Sequence, residues 1–443
     1  MDNKPHFLLI NPPIYDFAAY DLWTKPVGLL YLSSIFKGAG ADVSLIDCLD
    51  RGHPLMPESK NGKWGCGRYY SELTEKPGVL KGVPRKYSRF GLPKEGFIRL
   101  LKQTAVPDVI FVTSVMTYWY PGVFEVIEAV KRVFPQTPVI LGGIYATICQ
   151  EHAMRYSCAD HVVSGDNVKD VIDVLSKSGI SLNIPHRGFI DYPPIDLSFY
   201  PGIKYGVIKT SSGCPFSCSY CASGVLHPSP FARKPAGEVV AELIEFYKND
   251  IKDVSFYDDA LLFDPDKHIL PILEGVVSSN TKLNLHTPNG LHARFVTPRL
   301  ARLMKKTGFV MPRLSLDTAD PKVQKNKTDG KVSNEYFVRA STFLKEAGFG
   351  AGEYGAYVLM GMPEQDLESV EKTIVFAHEY GARVFVAEYS PIPLTRDWEA
   401  VKTKLPSEDP LWHNNSVFPL YTLSDWPKLQ RLKDLARNLN NVF

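Results

Sequence analysis

Tyr205-Gly-Val-Ile-Lys-Thr-Ser-Ser-Gly-Cys214-Pro-Phe-Ser-Cys218-Ser-Tyr-Cys221 is the stretch on which the fold turns. A short apolar strand ends in small residues and then presents three thiols, separated by three and two residues, on a tight loop. Three thiolates at that spacing suit three corners of an iron–sulfur cubane and leave the fourth iron open to a small ligand. Structural zinc normally takes four ligands. His227, six residues on, would supply a fourth, so zinc and a set of unrelated cysteines are the competing readings. The remaining cysteines, Cys48, Cys66, Cys149 and Cys158, are scattered, and a total of seven does not describe a complete disulfide framework.

Downstream of the cysteines the chain alternates between two periods. Helical patterns near 236–249, 267–278, 298–307, 334–347 and 366–380 separate strand-like runs at 253–257, 283–286, 311–316, 353–360 and 383–389. Together with 205–209 these predict a partial (β/α)6 barrel over residues 205–390. A small C-terminal extension, 391–443, follows with a polar loop and a terminal helix.

Upstream, residues 1–180 read as a Rossmann-like α/β domain, so the fold class is α/β throughout. Strands at 7–11, 43–46, 109–112, 139–141 and 161–163 alternate with helices, and the loops at their carboxyl ends should cluster. Asn11, Thr113, Ser114, Gly142, Gly143 and Gly165 occupy those loops. Residues 51–95 interrupt the pattern with ten Lys or Arg against four Glu, and read as a functional cap or as an irregular surface excursion. A Pro-rich linker over 181–204 separates the two domains.

Composition excludes several classes. The 443 residues are 44% hydrophobic and 22% charged, with a formal net charge of +2, which argues against disorder and against a generally basic nucleic-acid binder. Neither a secretory pattern nor a membrane span is evident, and the expected location is the cytoplasm. No Ser-His-Asp signature or phosphate-binding Gly-rich Lys-Ser/Thr run suggests another enzyme class.

The Cys-x3-Cys-x-aromatic-Cys pattern after a first barrel strand resembles the signature of the radical S-adenosylmethionine (SAM) superfamily. The resemblance implies a [4Fe–4S] cluster on Cys214, Cys218 and Cys221, and SAM on its open iron. Reductive cleavage to methionine and a 5′-deoxyadenosyl radical would follow, with the electron coming from a flavodoxin or ferredoxin. It also implies that Tyr220, Glu238, His286, Asn289, Arg313, Ser315, Asp317, Met360 and Glu388 line the SAM cavity. Asp258, Asp259 and Tyr389 would stand at its catalytic end, and Cys66 is a candidate radical-proximal donor in the inserted loop.

An N-terminal Rossmann-like unit joined to this core resembles the cobalamin-binding-domain subgroup of that superfamily. The resemblance implies bound cobalamin and methylation of an unactivated carbon in a small-molecule or peptide substrate. The Asp-x-His-x-x-Gly loop that coordinates cobalt from below is absent, so Tyr118 and Trp119 are the candidates for covering the lower face. Radical cyclisation, ring contraction or rearrangement, a non-catalytic iron–sulfur scaffold, and an RNA-modifying enzyme served by the basic loop are the alternatives.

Overall fold

Along His6–Asn11 side chains alternate between two faces, and apolar residues occupy both, as a strand covered on two sides requires. The computed structural model of the protein describes residues 4–59, 62–185, 188–419 and 425–443. It places this strand inside a five-stranded parallel sheet ordered His161–Val162, Val139–Leu141, Val109–Val112, His6–Asn11, Asp42–Asp47. The strand order reverses between the first and third strands, where open α/β sheets bind ligands at the carboxyl ends. On one face Leu8, Ile10, Ile110 and Val112 pack with Val126, Ile127 and Val130 of helix Tyr120–Val133. On the other, Phe7, Leu9 and Phe111 meet Leu29 and Phe36 of helix Val27–Gly38 and Leu175 of helix Val168–Lys177. Each such fully buried side chain contributes about 1.5–3 kcal/mol.

Residues 51–95 carry structure of their own. Ser88–Phe90 pairs antiparallel with both Ile14–Asp16 and Ser71–Leu73, and Gly67–Arg68 pairs with Tyr20–Asp21. Arg89 is buried against Glu125 at 2.7 Å, and Arg51 reaches Asp21 and the Gly65 carbonyl at 3.4 and 2.9 Å. Two of the basic side chains that suggested an RNA-facing loop therefore hold the insert together from inside. The stretch expected as a linker packs on the same sheet unit. Tyr192 packs against Tyr31 with ring centroids 5.6 Å apart, Asp196 accepts from Ser33 at 2.7 Å, and Tyr200 donates to Asp47 at 2.8 Å.

Chain contacts divide the protein into two units. The first runs through Ile203 and includes Val225–Pro228 and Asp409–Trp412; the remainder forms the second. In the second unit Tyr205–Ile208, Asp253–Phe256 and Asn284–His286 form one parallel sheet. Leu291–His292, Arg313–Asp317, Gly355–Met360 and Arg383–Glu388 form another. A bridge from Leu285 to Phe309 continues the third strand toward the fourth, so the main strands follow chain order around an arc. The two-residue strand Leu291–His292 is too short for its period to register in the sequence. Among the described residues no helix is long and apolar enough to cross a membrane.

At the end of the fourth Rossmann strand Gly143 has φ 92°, and a Cβ there would lie 2.4 Å from the Ser114 carbonyl oxygen. Gly165 has φ 83° but open space around it. G143A should therefore cost about 3 kcal/mol or more, through strain and a backbone clash, whereas G165A should cost roughly 1–2 kcal/mol through strain alone. Urea unfolding of the two variants checks the ranking.

Candidate functional site

The cysteine loop leaves a short antiparallel pair, Ser211–Ser212 with Ala232–Arg233, and beyond it other groups hold the thiols in place. The adjacent carboxylates that end the second barrel strand do this from both sides. Asp258 is buried and accepts from Thr210 N at 3.1 Å, Thr210 Oγ1 at 2.7 Å and Ser211 Oγ at 2.5 Å, just before Cys214. Asp259 accepts from Ser223 Oγ at 2.8 Å, just after Cys221. Burial pushes the Asp258 carboxyl pKa up, while its hydroxyl and amide donors oppose that rise. Thr210 gives its one hydroxyl proton to Asp258, so His268, 2.8 Å away, must donate from Nε2. Burial first, and the Arg233 charge second, lower the His268 pKa to about 4, which keeps the ring neutral. Asp258, expected at the catalytic end, is thus a positioning residue: both of its oxygens are engaged by the strand that carries the loop.

The far side of the loop rests on the segment after the fourth strand. Ser217 N donates to Asp329 Oδ2 at 2.9 Å, Ser219 N to the Lys327 carbonyl at 2.8 Å, and Cys218 Sγ lies 3.5 Å from the Thr328 carbonyl. Lys327 pairs with Asp397 at 2.7 Å, and the Asp397 amide returns to the Ser219 carbonyl. A register shift between Ser315 and Asp317, with φ 60° at Asp317, re-aims that carboxylate. It accepts from Tyr220 OH and pairs with the buried Lys331 at 3.3 Å. Lys331, Thr210 and His268 were not apparent from the sequence, because neither periodicity nor spacing marks them.

The other expected cavity residues divide. Tyr389 is buried in one apolar cluster with Met362 and Phe418, against which Tyr220 packs, and its hydroxyl has no hydrogen-bond partner among the described residues. Asn289 donates to the carbonyls of Tyr257 and Asp258 at 3.3 and 3.2 Å and so braces the same strand end. Ser315 is buried beside Gly290. Arg313 does not join them: it opens the fourth strand, four residues and about 13 Å of extended chain before Asp317. Its guanidinium binds Tyr357 OH at 2.7 Å. His286 turns to Asp253 at the start of the second strand, 2.8 Å away. Glu388 is taken by Lys433 of the terminal helix at 2.5 Å, and Met360 lies fully buried on the same strand row as Ala356 and Val358. Glu238 is exposed in the first turn of helix Ala236–Lys248, an ordinary helix start. Sequence alternation did not separate the inner from the outer row at these positions.

In the first unit Asn11 donates to Asp47 Oδ1 at 2.7 Å, and Ser114 Oγ links the third and fourth strands through the Gly142 carbonyl and Tyr145 N. Thr113 Oγ1 lies near Gly143. Tyr118 is buried, and Trp119 is fixed by an Nε1 bond to Asp16 at 2.7 Å. Gly142 and Gly165 have no heavy atom closer than 4.0 Å to an added Cβ, so the backbone there is open to a ligand. Cys66 is buried in a short turn of the insert.

The donor set fits an iron–sulfur cluster better than one ion. Among the described residues no three His, Cys, Asp or Glu side chains converge on a single-metal point, although Cys214, Cys218 and Cys221 are in no disulfide. A cubane, several atoms across, needs its thiolates spread. The histidine proposed for zinc is engaged elsewhere: His227 Nδ1 lies 2.6 Å from Asp166. Residues 208–377 match the radical SAM superfamily model and residues 86–170 the B12 binding domain model. Residues 208–377 are thus a radical SAM domain. The B12-binding domain places the chain in the cobalamin-binding subgroup. An uncharacterised methyltransferase of Pyrococcus horikoshii is 27% identical, over 66% of this chain and 69% of its own. Cytidylyl-2-hydroxyethylphosphonate methyltransferase of Streptomyces wedmorensis is 20% identical, over 84% and 77%. The structure of the radical SAM methyltransferase TsrM from Kitasatospora setae, solved with tryptophan and a SAM analogue, shares the fold. Its TM-score is 0.67 at 16% identity, covering 90% of this chain and 76% of that one.

Replacing Asp258 by Asn leaves buried hydroxyl and amide donors facing an NH2 group. D258N should lose about 2 kcal/mol and take up less iron on reconstitution than the wild type; thermal unfolding and iron analysis check both. Because the folded pKa of His268 lies below its unfolded value of about 6.5, its contribution is present above that value and is lost as pH falls through about 4. The fall in Tm between pH 7 and pH 4.5 should therefore be smaller in H268Q, where Gln can keep the bond to Thr210.

Proposed function

We propose that this radical SAM enzyme is a cobalamin-dependent methyltransferase that acts on an unactivated carbon of a small molecule or peptide. The observation that carries the reading is one chain holding both a braced three-cysteine loop at a barrel-strand end and a B12-binding sheet with open glycine backbone at its strand ends. When bound, the cluster and SAM supply a deoxyadenosyl radical that removes a hydrogen atom, and cobalamin supplies the methyl group.

The protein's share of this chemistry is placement and exclusion of water. Cys214, Cys218 and Cys221 would hold the cluster, while Asp258, Asp259 and the 327–331 segment fix the loop that carries them. Burial of Cys218 and of the apolar cluster around Tyr389 and Phe418 keeps water from one side of the loop. The unpartnered Tyr389 hydroxyl offers a donor to a bound ligand at low desolvation cost, since it lacks a partner already. Tyr220, which lies between Cys218 and Cys221 and is anchored through its hydroxyl, would help to line the cluster site. Gly142 and Gly165 would admit the nucleotide tail of cobalamin. The electron would come from a flavodoxin- or ferredoxin-type donor, in a reducing compartment such as the cytoplasm, where thiols persist.

Anaerobic reconstitution, metal and corrin analysis of the same sample, and addition of SAM with a strong reductant test the reading. The expected result is about four irons per chain, retained corrin and 5′-deoxyadenosine, with iron binding lost in C218A. Iron and SAM cleavage without corrin would redirect the assignment to cyclisation, ring contraction or rearrangement. A stable cluster with no SAM cleavage would leave the scaffold reading.

A further inference from the structure

A buried ammonium needs a reason, because leaving water costs more than a surface cation ever regains from one partner. Lys331 is such a group. It is buried, with Nζ 3.3 Å from Asp317 and 3.2 Å from Tyr220 OH, and it lies 5.6 Å from the Tyr220 ring centroid. Its place relative to the cysteines is set by backbone: the contacts of Ser217, Cys218 and Ser219 with residues 327–329 lock the turn ending at Lys331 onto the loop. The field of Lys331 pulls the pKa of Cys214, Cys218 and Cys221 down against burial, whereas Asp259 and Asp317 push the other way.

We propose that Lys331 is a positioning residue for charge: a fixed cation that raises the reduction potential of the cluster on Cys214, Cys218 and Cys221, with Asp317 as the counter-charge that limits the rise. The inference rests on the cluster assignment above. Reduction brings one electron from a low-potential one-electron donor into the cluster, and no bond to the protein forms or breaks. The product carries one more negative charge than the reactant. A cation held in a poorly screened interior stabilises that product more than the reactant, and net charge around the thiolates is one of the protein's levers on cluster potential. Asp317 opposes this from the same site. Its substitution and that of Lys331 should therefore act with opposite sign, which loss of packing alone would not produce.

The test is a potentiometric titration of the reconstituted full-length protein, followed by the electron paramagnetic resonance signal of the reduced cluster, with titanium(III) citrate as reductant and no SAM present. K331M should shift the reduction equilibrium at least tenfold toward the oxidised cluster, about 59 mV for one electron. K331R, which keeps the charge, should stay close to wild type, and D317N should shift toward the reduced cluster. Potentials of K331M and D317N both unchanged, or moving in the same direction, would overturn the proposal. Should K331M take up no cluster, D317N decides alone: an upward shift supports the proposal and its absence rejects it. A wild-type protein that holds no four-iron cluster defeats the cluster assignment itself, a result separate from an intact cluster whose potential ignores Lys331.

Discussion

The buried carboxylate of Asp258 is the interaction on which the second unit's chemistry depends. A carboxylate removed from water must be met by donors, and the donors it finds are Thr210 and Ser211, the last residues before the cysteine loop. Neither residue could move away without leaving a charge uncompensated in the interior. The cost of solvation thus anchors the base of the loop together with the short antiparallel pairing of Ser211–Ser212 with Ala232–Arg233. His268 closes the arrangement behind Thr210, and Asp259 repeats the device with Ser223 on the other side. Two consecutive acids at a strand end, costly side by side in solution, become tolerable because each is directed to a different flank of one loop.

Much of this architecture is legible in the sequence. The alternation of periods gives the strands and most helices, because a strand between two helix layers must be apolar on both faces, and Phe7 to Ile10 is. The cysteine spacing is legible for the same kind of reason: ligand geometry is local. Asp258, Asp259, Tyr220 and Asp317 could be picked out because each sits at a strand end or within the cysteine loop. What each of them does was not legible. Asp258 binds the hydroxyls of Thr210 and Ser211, and nothing short of the third dimension shows Thr210 reaching it.

Arg313, Glu388 and Met360 stand apart from the contacts of the cysteine loop for a common reason: a strand has two faces and two ends. Arg313 opens its strand, and Glu388 meets a helix from the C-terminal extension whose docking the sequence does not announce. A bulge between Ser315 and Asp317 also breaks the simple alternation that would keep Arg313, Ser315 and Asp317 on one face. In the insert, the charge pattern misled in a similar way. Basic residues suggested a surface for an anionic partner, whereas Arg51 and Arg89 are the pins of a small antiparallel sheet.

Lys331 is the case where sequence and structure are furthest apart, and it shows why. It lies 14 residues beyond Asp317, in a turn with Asp329 and Gly330, close in sequence to Lys322 and Lys325, which are exposed, and to Lys327, which pairs with Asp397. The contacts of the turn with Ser217, Cys218 and Ser219, and its own bond to Tyr220, hold it against the cysteine loop. The same contacts make its charge effective, since a lysine on a free loop would be screened within a few ångströms of water. A cation that is both buried and fixed by backbone bonds to the ligand loop cannot relax away when the charge beside it changes. Asp317 and Tyr220 then set how much of that charge reaches the cysteines, so the strained backbone at Asp317 has a consequence for electrostatics as well as for shape.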